Sequence, residues 1–287
     1  MAGEEVNRPI VIVGPTASGK SELAWALARE LGGEVISADS RQVYKGLDAG
    51  TAKPDYPCHL VDVAEPSERF DAGRWLELCR PLLARIRVPI VAGGTGLYVK
   101  ALLEGLSDLP KGDPALRARL RPDHARLREI DPVAAAKIPP GNTQRILRAL
   151  EVYELTGKPI SAHWGRRAGG VAPRAVLRLE WPAEALRERI ARRAEAMWPG
   201  MLEEASRYDG TEPGLESLGY REAWLVSRGK LSKAEGFAKL VGATNAYAKR
   251  QRTWFRTQLP GAVALPGAAL EDLKRRALEA IDEATAA

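Results

Sequence analysis

Residues 9–33, PIVIVGPTASGKSELAWALARELGG, decide the fold. Pro9-Ile10-Val11-Ile12-Val13 is a short β-branched run of the kind buried in a parallel sheet. Leu23, Leu27 and Leu31 then recur every fourth residue with Ala24 and Ala28 beside them, and Gly32-Gly33 closes that helical face. Between strand and helix, Gly14-Pro15-Thr16-Ala17-Ser18-Gly19-Lys20-Ser21 fits G-x-x-x-x-G-K-[ST] at every fixed position. Such a loop turns backbone N–H groups inward, and the helix N-terminus adds a partial positive charge. Lys20 adds a full charge, and the Ser21 hydroxyl is placed to ligate Mg²⁺. The task is to grip linked phosphates. Most chains with this loop bind ATP or GTP, so nucleotide binding is the first expectation.

The same alternation repeats along the chain. Glu34–Asp39, His59–Val63 and Val88–Gly94 read as further strands, and 72–87 reads as a helix. Alternating strand and helix predicts an α/β fold, a P-loop-type parallel sheet core flanked by helices. In such sheets ligands lie at the carboxyl ends of the strands, where the phosphate loop, Asp39 and Gly93-Gly94-Thr95 all fall. From 111 to 170 arginines multiply and strands vanish, which predicts a helical insertion. The core is then expected over 1–110 and 171–287, with Ala175–Leu179 returning to the sheet and the remainder mostly helical.

The composition sets outer bounds. Of 287 residues, 45% are hydrophobic and 28% charged, the balance of an ordinary globular protein. No apolar run approaches a membrane span and no secretory segment precedes the first strand. Two cysteines, Cys58 and Cys79, cannot build a disulfide framework, which points to a reducing cytoplasm. A net charge of +6 is compatible with a polyanionic partner without requiring one. Three histidines, with no partner pair at ligand spacing, argue against zinc.

Four more stretches carry polar groups in suggestive patterns. Asp39-Ser40-Arg41-Gln42-Val43-Tyr44 offers a general base or indirect Mg²⁺ ligand in Asp39, or simply a helix cap. Gly93–Tyr98 lets the backbone approach a ligand beside the Thr95 hydroxyl, or forms an ordinary strand-to-helix turn. Asn142–Arg148 opens a helix ending at Gly157, with Arg145 and Arg148 available for phosphates or for solvent. Tyr247–Arg256 interleaves cations with aromatics, as nucleic-acid surfaces and amphipathic core helices both do.

Taken in order, these stretches resemble the bacterial tRNA dimethylallyltransferases, also called tRNA isopentenyltransferases. The likeness covers Gly14–Ser21, Asp39–Asp48, Gly50–Pro54, Gly93–Tyr98, Gln144–Val152, Gly219–Glu222 and Lys249–Arg256, from residue 10 to about 256. It implies transfer of a dimethylallyl group from dimethylallyl diphosphate to N6 of the adenine 3′-adjacent to the tRNA anticodon. The phosphate loop would then hold that diphosphate, with Lys20 and Arg221 neutralising its charge and Mg²⁺ on Ser21. By the same resemblance Asp39 is the base and Thr95 contacts substrate near the reacting centre. Ser40, Arg41 and Gln42, together with Arg117, Gln144, Arg145, Ile146, Leu147 and Arg148, are implied to hold the anticodon stem-loop. A monomeric, cytoplasmic enzyme is expected. The chain is short between Pro54 and His59, and Cys58 stands where the motif usually has histidine. A P-loop small-molecule or nucleotide kinase is the alternative; it predicts ATP turnover, with the insertion as an arginine lid. A guanine-binding N-K-x-D motif is absent, which disfavours a GTPase.

Overall fold

The computed structural model describes residues 7–165 and 167–286. Two compact units emerge, Met1–Leu103 with Val171–Ala287, and Glu104–Gly170.

The larger unit begins with β1 (Ile10–Val13), α1 (Lys20–Leu31), β2 (Glu34–Ser37), β3 (Cys58–His59), α2 (Ala72–Arg85), β4 (Pro89–Gly93) and α3 (Gly96–Glu104). The smaller unit supplies β5 (Gly105–Ser107), α4 (Pro114–Arg119), α5 (His124–Ile130), α6 (Pro132–Lys137), α7 (Thr143–Thr156) and β6 (Arg167–Gly169). The chain then returns with β7 (Ala175–Glu180), α8 (Ala183–Ser206), α9 (Tyr220–Ser227), α10 (Lys233–Gln258), β8 (Val263–Pro266) and α11 (Leu270–Ala286).

A six-stranded parallel sheet in the order β3-β2-β4-β1-β7-β8 forms the core of the larger unit. Every residue of β1 is buried, as its unbroken apolar run requires of a strand covered on both faces. Leu23, Ala24, Leu27 and Ala28 of α1 pack there with Leu177 and Leu179 of β7 and Leu273, Ala277 and Ile281 of α11. Because β4 lies between β1 and β2, the chain reverses its winding beside β1, and the loops after β1, β2 and β4 open together at the carboxyl end of the sheet.

Three expectations change. The strand foreseen over His59–Val63 pairs only at Cys58–His59, because Leu60 and Asp62 turn the chain with φ of 62° and 56°. Asp62 then pairs with Lys53 rather than extending the sheet. A sixth strand, β8, was not foreseen; its alternation is interrupted by Pro266 and only Leu265 is buried. The smaller unit starts at Glu104 instead of 111, since β5 pairs antiparallel with β6.

Within the smaller unit each short helix has its own start signal. Asp113, Asp123, Asp131 and Asn142 accept hydrogen bonds from the first-turn N–H groups of α4, α5, α6 and α7. Leu127, Ala134, Ile146, Ala149 and Leu150 fill its core. Among the described residues no helix is long and apolar enough to cross a membrane.

Candidate functional site

The phosphate loop is held from behind. Trp181 Nε1 donates to Ser18 O at 2.9 Å, and Arg189 Nε donates to Ala17 O at 2.7 Å. Because peptide units are planar and trans, pulling these carbonyls outward turns the N–H groups of Ser18 and Gly19 the opposite way. Ala17 adopts φ 62°, a left-handed backbone costing about 1–2 kcal/mol. The Arg189 bond holds it there, and Arg189 itself lies 4.6 Å from the Trp181 ring. Ser18 Oγ is buried without a partner among the described residues.

Two cations share the loop. Lys20 Nζ donates to Pro15 O at 2.7 Å. Burial brings its pKa down to about 8; Asp39 opposes this and Arg193 adds to it. Arg193, from α8, places Nη1 3.4 Å from Thr16 Oγ1. Burial lowers its pKa too, against the pull of Asp39 and Glu22. Two desolvated cations beside inward N–H groups form an anion site, and an arriving diphosphate would drive Lys20 towards full protonation.

Asp39 follows β2, and Thr95 follows β4. Asp39 Oδ1 accepts from Arg41 N at 2.9 Å, forming a turn where no helix begins. Thr95 Oγ1 accepts from Ser40 N at 2.8 Å and lies 3.2 Å from Ser40 Oγ. The two stretches are therefore stitched together by the Thr95 hydroxyl, while the Thr95 carbonyl accepts the first helical bond of α3 from Val99 N. Gly93 is demanded by this closeness, since a Cβ there would lie 2.1 Å from Ala38 O. A cavity of about 230 Å³ opens beside the turn, lined by Gly94, Thr95, Leu97, Tyr247, Gln251 and Trp254 among others. Burial, reinforced by Asp39, pushes the Tyr247 phenol up to about 12, so it stays a neutral hydrogen-bonding group.

Other named residues sit differently. Gln42 is buried: its Oε1 accepts from Ser37 Oγ at 2.7 Å and its Nε2 donates to Ala52 O at 2.9 Å, so it braces the segment. Arg221 is exposed, donates to Gly210 O at 2.7 Å and stacks on Trp224 at 4.7 Å. Besides Lys20 and Arg193, Arg189 also bonds to the loop through the Ala17 carbonyl, and the two arginines lie one helical turn apart on α8. Sequence reading missed this pair. The available signal was their i, i+4 spacing on one face of a long helix.

In the smaller unit, Arg117 Nη2 and Arg148 Nη1 each lie 2.6 Å from Oε2 of the fully buried Glu151. Arg148 also donates to Pro110 O. Burial raises the Glu151 pKa, but the arginine bonds outweigh it and leave the carboxyl below its ordinary value. Ile146 is in the core and Leu147 is half-buried, whereas Gln144 and Arg145 are exposed.

The family pattern described as IPP transferase matches residues 42–258, and the isopentenyl transferase pattern matches 8–57. A tRNA dimethylallyltransferase of Anaeromyxobacter sp. (strain K) is 44% identical, over 95% of this chain and 97% of its own. One of Thiobacillus denitrificans is 42% identical, over 93% and 94%. The crystal structure of the tRNA isopentenylpyrophosphate transferase of Bacillus halodurans superposes with a TM-score of 0.70, at 32% identity over 98% of both chains. A eukaryotic dimethylallyltransferase acting on tRNA superposes at 0.78, with 26% identity over 95% of this chain and 77% of that one. The chain belongs to the tRNA dimethylallyltransferase (IPP transferase) family.

Proposed function

We infer that the chain transfers a dimethylallyl group from dimethylallyl diphosphate to N6 of the adenine 3′-adjacent to the anticodon of tRNA, releasing diphosphate. One observation carries the reading: the larger unit gathers an anion cradle with two desolvated cations, a carboxylate and a hydroxyl-bearing glycine turn at the ends of adjacent strands. The alternative kinase reading needs none of the Asp39–Ser40–Thr95 stitching.

The chemistry asks two things of these groups. The exocyclic amine of adenine is a weak nucleophile, its lone pair drawn into the ring. As N6 bonds to C1 of the dimethylallyl group, Asp39 takes the N6 proton. The C1–O bond breaks, and its electron pair leaves on the diphosphate. Negative charge grows there, where Lys20, Arg193 and the inward N–H groups of Ser18 and Gly19 stabilise it. Thr95, fixed to Ser40, contacts the substrate near the reacting centre, with Ser40 and Arg41 beside it. Ser21 Oγ, an oxygen donor of the kind Mg²⁺ favours, is the group that would hold that ion. When bound, it would supply further charge neutralisation on the diphosphate. Gln144 and Arg145 are the exposed groups of their segment and would meet the tRNA backbone, while Arg117, Arg148, the buried Ile146 and the half-buried Leu147 frame the helix that presents them.

The test is incubation of unmodified tRNA with dimethylallyl diphosphate, and separately with ATP, followed by mass analysis of the digested RNA. One prenyl unit gained on an anticodon-loop adenine is expected. Asp39→Asn should lower kcat roughly 10²–10⁴-fold while tRNA still binds. No gain, together with ATP hydrolysis, would sink the assignment.

A further inference from the structure

Gln251 lies on α10 and is 5% exposed, a buried amide between Ala248 and Phe255 on the inward face of that helix. An unpaired amide there would be costly, and this one is satisfied at both ends. Its Oε1 accepts from Thr16 N at 2.9 Å and its Nε2 donates to Gly94 O at 2.9 Å. Only this orientation of the amide satisfies both partners, since Thr16 offers an N–H and Gly94 a carbonyl. The partners belong to the loops that follow β1 and β4, which are neighbours in the sheet with Val13 opposite Gly93. Gly94 closes directly on the amide; a Cβ there would lie 2.3 Å from Nε2.

We propose that Gln251 is a positioning residue for the transfer, its single planar amide fixing the separation between the phosphate loop and the Gly94–Thr95 turn. The proposal rests on the function inferred above. One loop holds the leaving diphosphate, and the other carries Thr95 beside the acceptor amine. Displacement at C1 requires the amine and the departing oxygen on opposite sides of one carbon, so the distance between the loops sets the quality of the attack. A misplacement of about 1 Å is worth roughly a hundredfold in rate. Because the amide oxygen and nitrogen move together, neither loop can shift without breaking one of the two bonds. The Thr16 N–H, being taken by Gln251, is also withdrawn from the phosphate cradle.

Two variants test this. Gln251→Met keeps length and burial but removes both bonds. Its kcat should fall about tenfold or more, with KM for tRNA little changed. The fraction of dimethylallyl diphosphate lost to water, read as dimethylallyl alcohol, should rise relative to tRNA product. Gln251→Glu restores both bonds only when its carboxyl is protonated, with the carbonyl accepting from Thr16 N and the hydroxyl donating to Gly94 O. Its kcat relative to the parent should therefore climb as pH falls. A folded Met variant with unchanged kcat and unchanged water capture overturns the proposal. So does a Glu variant whose relative kcat is flat with pH. A parent protein that binds the diphosphate yet never prenylates tRNA overturns the inferred function itself, which separates the two failures.

Discussion

Arg193 in the larger unit and Arg148 in the smaller are both half-buried arginines on amphipathic helices, and they spend their charge in opposite ways. Arg148, with Arg117, is held by the buried carboxylate of Glu151. Arg193 has no carboxylate in salt-bridge contact among the described residues; it reaches Thr16 Oγ1 and Met197 Sδ, and burial lowers its pKa. An arginine whose charge is matched inside the protein is part of the frame. One desolvated with carboxylates near it but none bonded to it is poised for an anion from outside. Function is therefore read from the missing partner, not from the residue type.

Removing Arg193 puts the largest strain on that contrast. Arg193→Ala should lower kcat/KM for dimethylallyl diphosphate by roughly 10²–10³-fold, as the loss of a donor to developing charge does, while tRNA binding persists. It should also raise the Lys20 pKa from its value of about 8, because Arg193 depresses it. Lysine-selective labelling against pH reads that shift. Full activity in a folded Arg193→Ala protein would erase the distinction, and would move the second cation elsewhere.

The sequence carried more of the larger unit than of the smaller. Gly14–Ser21, the buried run of β1 and the four-residue spacing of α1 are local signals, and the strand, turn and helix they imply are all present. Asp39 and Thr95 were legible as strand-end residues, but their linkage through Ser40 was not, because 55 residues separate the partners. Arg193 and Gln251 lie more than 170 residues from the loop they serve. The i, i+4 spacing of Arg189 and Arg193 and the Lys249–Arg256 stretch around Gln251 mark these residues as candidates, but which loop each one serves is set only by the tertiary fold. In Gln144–Arg148 the residue types were plain, yet which arginine faces solvent depended on Glu151, three positions beyond Arg148 and fully buried.

Glu151 tests the other half of the comparison. Glu151→Ala would leave Arg117 and Arg148 in a desolvated site without their anion, costing about 2–4 kcal/mol, the partly exposed arginines placing it at the lower end of the buried-pair range. Denaturant titration should show that loss, and chemistry at the phosphate loop should survive in whatever fraction stays folded. The pH dependence has a defined sign. The folded carboxyl titrates below its unfolded value, so its contribution is complete above the unfolded carboxylate range and is lost as pH falls through the depressed folded pKa. Wild type should therefore lose this increment in acid, and the alanine variant should not. An alanine variant as stable as wild type would make the ion triad ornamental and return Arg117 and Arg148 to the pool of tRNA contacts.

Arg145 supplies the smallest effect and the finest discrimination. It stands one position beyond Gln144 in the first turn of α7, exposed, with its backbone N–H engaged by the Asn142 cap. Since the cap uses the backbone, Arg145→Ala should leave stability within about 0.5 kcal/mol of wild type. If its guanidinium neutralises one tRNA phosphate, affinity should fall a few-fold, and the slope of log K against log salt should flatten by about one unit or slightly less. Arg148→Ala should behave the other way, losing stability first and affinity only as a consequence. Measuring both variants at several salt concentrations separates a cation that meets RNA from one that holds the helix meeting it. Equal salt slopes in the two variants would show that the buried triad opens to bind tRNA, and would dissolve the division between frame and contact within this helix.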